Sequence, residues 1–200
     1  MNNDIIKSIE PLLNEPTPEL NVDNWQKFKL SDLFDINYGK FISDTKDGTG
    51  SIPYITTTAE NNGIGGYVDE PMYEGNCLTV ASDGSVGSCF YQEGPFATSN
   101  IVSTLKPKKN TKLNKYNAMF FIPIIELEKF RYGYGRKFSV ERVRATVIKL
   151  PATPEGEPDY QFMEHYTMSL QYDLEVKIRN DAEDKIDKIR KLLGENNENN

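Results

Sequence analysis

The sequence predicts an α+β protein: a mixed, mostly antiparallel β-rich domain over residues 25–160, followed by one long C-terminal α-helix over residues 161–193. Three observations predict it. Residues 50–105 carry short apolar, β-branched or aromatic segments (IPYITTT, CLTVAS, GSCFYQ, IVSTLKP) separated by Asn-, Asp- and Gly-rich turns, the pattern of strands joined by tight connections. Beyond residue 160 the apolar positions Met163, Tyr166, Leu170, Leu174, Ile178, Ala182, Ile186, Ile189 and Leu193 recur three or four apart, with no Pro or Gly until Gly194. That is the period and the stop of an α-helix. Eleven Tyr and ten Phe favour strands and contact surfaces.

The elements follow in order. Residues 1–24 read as a short helix and a linker, because Pro11, Pro16 and Pro18 forbid a long helix; no role is assigned to them. WQKFKLSDLFDINYGK reads as a strand, a short helical turn and a second strand closed by Gly39. AENNGIGG suits no regular element, and YVDEPMY follows it as a strand. NKYNAMFFIPIIELEKF (114–130) predicts a helix that Pro123 must start, end or kink. RVRATVIKLP predicts the closing strand, and PATPEGEPDY a loop. The C-terminal helix would be roughly 48 Å long and would overrun a domain of ~150 residues, so its stripe calls for a partner helix. Met163, Tyr166, Leu170, Leu174, Ile178, Ile186 and Ile189 are the expected contact positions. GENNENN (194–200) reads as a disordered polar tail.

Several classes are disfavoured. No apolar run approaches 18 residues, and the start lacks the basic-then-apolar pattern of a signal peptide, so a cytoplasmic protein is expected. Cys77 and Cys89 form no CxxC, and His165 is the single histidine; strand-core cysteines and no metal site are expected. The chain has no GxGxxG and no GxxxxGK[ST]; GSVG is not a nucleophile elbow, which leaves Ser85 a turn residue; and Asn/Asp-Pro-Pro-aromatic does not occur. No residue set suits bond-making chemistry, so a non-catalytic binding protein without its own cofactor is expected.

The net charge of −7 hides a polarised distribution. Residues 101–150 hold twelve Lys or Arg against three acids, a net +9 that leaves −16 on the remainder. Such a block produces a local positive field whatever the total. Within it, FRYGYGRKFS interleaves Tyr132 and Tyr134 with glycines ahead of Arg136 and Lys137, a composition suited to phosphate and base edges. Thr56, Thr57, Thr58, Asn61 and Asn62 form a second candidate, since Asn can pair with the adenine edge and a Thr methyl can meet thymine; Asn-Gly is equally plain turn chemistry. Ser82 and Asp83 could accept from cytosine or cap a turn.

The succession IPYITTTAENNGIGGYV, LTVASDGSVGSCFYQ, FATSNIVSTLKP, FRYGYGRKFSVERVRATVIKLP and GEPDYQFMEHY, opened by WQKFKLSDLFDINYGK, resembles the target recognition domains of type I restriction–modification specificity subunits over about residues 25–193. The resemblance implies a non-catalytic DNA-binding subunit that recruits an S-adenosylmethionine-dependent adenine methyltransferase subunit and a restriction subunit. Members usually carry two recognition domains joined by long helices; this chain has one of each, so it resembles a half-size subunit: two copies pairing through their helices on a palindromic split site, one half of a heteromeric pair, and an excised domain all fit. A protein-interaction scaffold that pairs through its helix without binding DNA is the competing expectation.

Overall fold

The computed structural model describes residues 16–40, 50–133 and 135–192. They fall into two compact units, residues 20–164 and residues 16–19 with 165–192.

The first unit is built on three sheets. Its main sheet is antiparallel, with β2 (Phe34–Tyr38), β8 (Val102–Pro107), β5 (Cys77–Ala81) and β6 (Cys89–Gln92) in that spatial order. Every residue of β5 is buried, as a strand covered on both faces requires. Leu78 lies between Leu105 and Tyr91, and Thr79 between Thr104 and Phe90. A second sheet orders β4 (Ile64–Val68), β3 (Ile52–Ile55) and β7 (Ala97–Thr98), with β3 and β7 parallel. Ile55, Cys77, Phe96 and Val102 form the buried cluster joining it to the main sheet. The third sheet pairs β1 (Gln26–Lys29) with β9 (Val147–Leu150), Phe28 opposite Ile148. The expected α+β class, largely antiparallel with a long terminal helix, is therefore what forms.

The opening strand–turn–strand also forms, with the short helix α1 (Leu30–Leu33) between β1 and β2. Helix α2 covers Lys115–Glu126 and packs on β6; Phe121 meets Phe34 edge-on at 5.5 Å. Asn114 starts α2. Its side chain accepts from the Tyr116 and Asn117 amides, while Asn117 Oδ1 accepts from the Asn114 amide. Asn114→Ala is expected to cost about 1 kcal/mol, read as a melting temperature lower by about 2–4 °C. Pro123 lies inside the helix, at an exposed position.

Three elements differ from expectation. RVRATVIKLP is not one strand: Val140–Ala145 form helix α3, and the strand is confined to Val147–Leu150. Val140 and Val143, three apart, bury the same face while Arg142 and Arg144 stay exposed, which is helical rather than strand spacing. The Asn-Gly stretch is more ordered than a loop. Glu60–Gly63 make a tight turn closed by the Gly63 amide donating to Glu60 O at 2.9 Å, and β4 begins at Ile64, so that only Tyr67 and Val68 of YVDEPMY are strand. The chain after α2 tightens into a 3₁₀ turn at Leu127–Arg131.

Helix α4 covers Tyr160–Leu192. Its first turn belongs to the domain: Met163 is fully buried, Phe162 meets Phe120 edge-on, and Tyr160 lies 6.5 Å from Phe121. Met163 is thereby removed from the expected partner stripe, since its side chain is spent on the domain core. Tyr166 is half-buried. Leu170, Leu174, Ile178, Ile186 and Ile189 are exposed. In the second unit Thr17 donates to Asp173 at 3.0 Å, which ties the segment before the domain to this helix. Cys77 and Cys89 are free and buried; burial pushes both thiols up, that of Cys77 to about 12, which makes them inert. No helix among the described residues is long and apolar enough to cross a membrane. Leu193 and the 194–200 tail lie outside the described residues.

Candidate nucleic-acid interface

Three turns distant in sequence meet beside the β5–β6 connection. That connection, Ser82–Ser88, is closed by Gly87 N–H donating to Ala81 O and Ala81 N–H to Ser88 O. The first turn, after β3, reaches it through Thr57, whose carbonyl accepts from the Ser85 amide at 3.1 Å. The third, between α2 and α3, reaches it twice: the Phe138 amide donates to Ser82 O at 3.2 Å, and Lys137 Nζ lies 2.5 Å from Asp83 Oδ2. Thr57, Asp83, Tyr132, Arg136 and Lys137 are thus drawn into one neighbourhood.

The contacts are close enough to demand glycine. Gly84 and Gly87 hold left-handed backbone at φ +63° and +79°, a region that carries a penalty for residues with Cβ. A Cβ on Gly84 would stand 2.6 Å from Thr57 Oγ1, and one on Gly87 2.7 Å from Lys129 Cγ. Lys129 in turn pairs with Glu126, whose carboxylate also accepts from the Cys89 amide at 2.9 Å.

Tyr132 anchors the cationic turn. Its ring stacks on the fully buried Phe138 at 4.4 Å and 13°. The Arg136 and Arg142 guanidinium carbons lie 5.6 and 5.9 Å from its centroid, within range of the attraction between a cation and a ring face. The chain turns back over 133–136, with Gly133 and Arg136 exchanging both main-chain hydrogen bonds; Tyr134 lies outside the described residues. Arg142 donates to Lys137 O. Arg136, Lys137 and Arg142 are all exposed. Composition did not single out Arg142, because its stretch reads as a strand that would carry it elsewhere; the i, i+3 valines are the signal that places it.

Other candidates serve the fold. Asn61 and Asn62 adopt left-handed backbone at φ 48° and 54°. Asn62 Nδ2 donates to Tyr91 O and Gln92 Oε1, and Gln92 Nε2 returns a bond to Asn62 O, so Asn62 is a strut from the turn to β6. Asn61 is exposed at the turn's outer side. Thr58 Oγ1 accepts from the Glu60 amide, and Thr56 packs on Gly65; both are half-buried. Ser82 is buried, 3.3 Å from the Ser103 hydroxyl. It sets the base of the turn and offers no hydroxyl to a ligand.

The basic block also divides. Lys106, Lys108 and Arg144 line a cleft of about 510 Å³ with Asp35, Asn37 and Tyr73. Arg144 is committed there, donating to the Ile36 carbonyl and, at 3.2 Å, to Asn37; Lys108 donates to Ser31 O. Among the described residues no cluster of His, Cys, Asp and Glu suits a metal ion.

Asp83 is the acid paired with Lys137 in this neighbourhood. The hydrogen bond from Lys137 above all, then that from the Gly84 amide, holds its carboxyl below the usual 3.8. Because the folded value is depressed, the link adds stability above the ordinary carboxylate range and loses it as pH falls through the lowered value. At neutral pH Asp83 offsets one cation. Asp83→Asn is expected to tighten binding to a random-sequence duplex by about 3- to 10-fold and to steepen the salt slope by about one unit, read by anisotropy across a salt series.

The comparisons agree with this architecture. Residues 22–183 match the family model of the type I restriction modification DNA specificity domain. The chain is 36% identical over 150 residues to the specificity subunit S.BcgI of the type II restriction enzyme BgcI from Heyndrickxia coagulans, a match covering 74% of this chain and 44% of that protein. It is 24% identical over 132 residues to the specificity subunit of the type I restriction enzyme MpnII from Mycoplasma pneumoniae, covering 65% and 39%. Among solved structures, the type I S subunit of M. genitalium superimposes with a TM-score of 0.57 at 17% identity, over 96% of this chain and 48% of that one. The HsdS subunit of Thermoanaerobacter tengcongensis gives 0.56 at 14%, over 89% and 47%. The chain spans less than half the length of each of these relatives. The match over residues 22–183, from just before β1 well into α4, carries one conclusion: this chain belongs to the type I restriction modification DNA specificity domain family.

Proposed function

We propose that this chain acts in DNA specificity for a restriction–modification enzyme, contributing one recognition domain and one long helix. Residues 25–160 read one half of a bipartite duplex site. Helix α4 pairs with a second copy and sets the distance between half-sites. A methyltransferase subunit, which would carry S-adenosylmethionine, and a restriction subunit supply the chemistry, and this chain makes and breaks no bonds itself. The observation that carries the reading is the meeting of the Thr57, Asp83 and Tyr132–Lys137 turns at one place, with Arg136, Lys137 and Arg142 exposed around it. Cations grip phosphates and supply most of the affinity, while short polar side chains on rigid turns meet base edges. The relatives' names support the specificity role, and the exposed apolar positions of α4 support the pairing.

A salt-titrated mobility shift on random-sequence duplex tests it, with and without the methyltransferase. Retardation that weakens linearly on a log–log plot against salt is expected. A chain that retards no duplex at low salt in either condition is the scaffold, and the reading fails.

A further inference from the structure

The turn that delivers the cationic segment carries an apolar tip that the reading above leaves unused. Leu127 and Phe130 are 69% and 84% exposed, the two most exposed large apolar side chains described in the 20–164 unit. They sit in the 3₁₀ turn Leu127–Arg131, where residues three apart eclipse one another. The turn therefore has three rows. Lys129 occupies the row against Gly87 in the β5–β6 connection. Glu128 and Arg131 share the second row and are joined at 2.7 Å. Leu127 and Phe130 share the third and stand in solvent together. Such a pair of adjoining apolar groups marks a contact surface more than scattered exposure does.

The tip is held rigidly. Glu126, just before it, takes the Cys89 amide and the Lys129 ammonium. Tyr132, just after it, donates its amide to Lys129 O and stacks on Phe138. Within eight residues of Phe130 lie Lys129, Arg131, Arg136 and Lys137 against Glu126 and Glu128; Lys129 and Arg131 are paired with those acids, and the excess positive charge comes from Arg136 and Lys137, which suits a polyanion and disfavours a basic protein surface. We infer that Phe130, backed by Leu127, is a wedge that enters a base step of the duplex beside the reading turns. Proteins that insert an apolar side chain in this way unstack one step and gain specificity from the sequence-dependent cost of deforming it. Phe130 would thus determine specificity through DNA deformability, without a hydrogen bond to any base. This inference rests on the DNA-binding reading.

The test compares two labelled random-sequence duplex pools, one fully paired and one with a single central mismatch, where unstacking is already partly made. Anisotropy titrations use the full chain, Phe130→Ala and Phe130→Trp. The wild type is expected to bind the mismatched pool about tenfold more tightly. Phe130→Ala should lose that preference while keeping the salt slope, because no charge is removed, and Phe130→Trp should retain it. Equal affinity of the wild type for both pools overturns the wedge, as does a preference surviving in Phe130→Ala. Equal weakening of Phe130→Ala on both pools indicates surface contact without insertion and overturns it too. Unaltered DNA binding by Phe130→Ala together with weaker capture of the methyltransferase assigns the tip to a protein partner. Absence of salt-dependent binding by the wild type sinks the DNA-binding reading and the wedge with it, whereas binding without mismatch preference sinks the wedge alone.

Discussion

Replacing Arg136 and Lys137 together by alanine is expected to lower duplex affinity between tenfold and a thousandfold, about 1.4–4 kcal/mol, and to flatten the salt slope by about 1.8 units. Two phosphate-facing cations account for the slope. The affinity loss should exceed that of removing two isolated charges, because Lys137 also neutralises Asp83 at 2.5 Å; without it a carboxylate faces the phosphates unpaired. The turn should survive the change. Arg142 donates to the main-chain carbonyl of residue 137, which alanine keeps, and the Tyr132–Phe138 stack is untouched. Arg131→Ala is the control, since that guanidinium is engaged by Glu128 at 2.7 Å and should move affinity by less than about threefold. Unchanged affinity and slope in the double variant would remove the segment from the interface.

What the sequence revealed and concealed divides along a physical line. Local pattern sufficed where one face of an element decides its fate. The strands β5, β6 and β8 were legible from β-branched runs between glycine turns, and α4 from its period. Patterns failed where the burial partner is non-local. Met163 has the same spacing as Leu170 and Leu174, yet it is buried in the domain while they are exposed; periodicity cannot say which neighbour covers a stripe. Val140–Ala145 holds only two β-formers among Glu, Arg and Ala, and it is helical with Val140 and Val143 on one buried side; the strand reading followed the β-branched residues beyond it. In the site, residue type named Asn62 and Ser82 as readers, but their polar atoms face Gln92 and Ser103. The approach of Thr57 to Ser85 and of Asp83 to Lys137 spans tens of residues and leaves no trace in spacing. Phe130 stood in the conspicuous FRYGYGRKFS stretch, yet only its exposure separates it from Phe138, which is fully buried eight residues later.

The proposed pairing of helices carries the other large expected effect. Leu170, Leu174, Ile178, Ile186 and Ile189 are 45–59% exposed, an apolar stripe along a helix rich in charged residues. Covering each such side chain contributes about 1–2 kcal/mol, and a two-fold pair gains every contribution twice. Leu174→Glu with Ile178→Glu reverses this: four carboxylates enter the contact, each losing hydration at a cost of several kcal/mol. The dissociation constant is expected to rise by more than about a thousandfold, read by light scattering as a fall from the mass of two chains to one. Asn180→Glu, on an exposed position off the stripe, should leave the mass unchanged. The melting of the 20–164 unit should also hold, since its core residues lie outside the substituted turns. The double variant keeps every cation of the candidate interface. It should therefore keep the salt slope of a single domain on random duplex while losing the added affinity of a linked pair. A mass of two chains in Leu174→Glu/Ile178→Glu would place the pairing surface elsewhere on the chain and leave the spacing role of α4 without support.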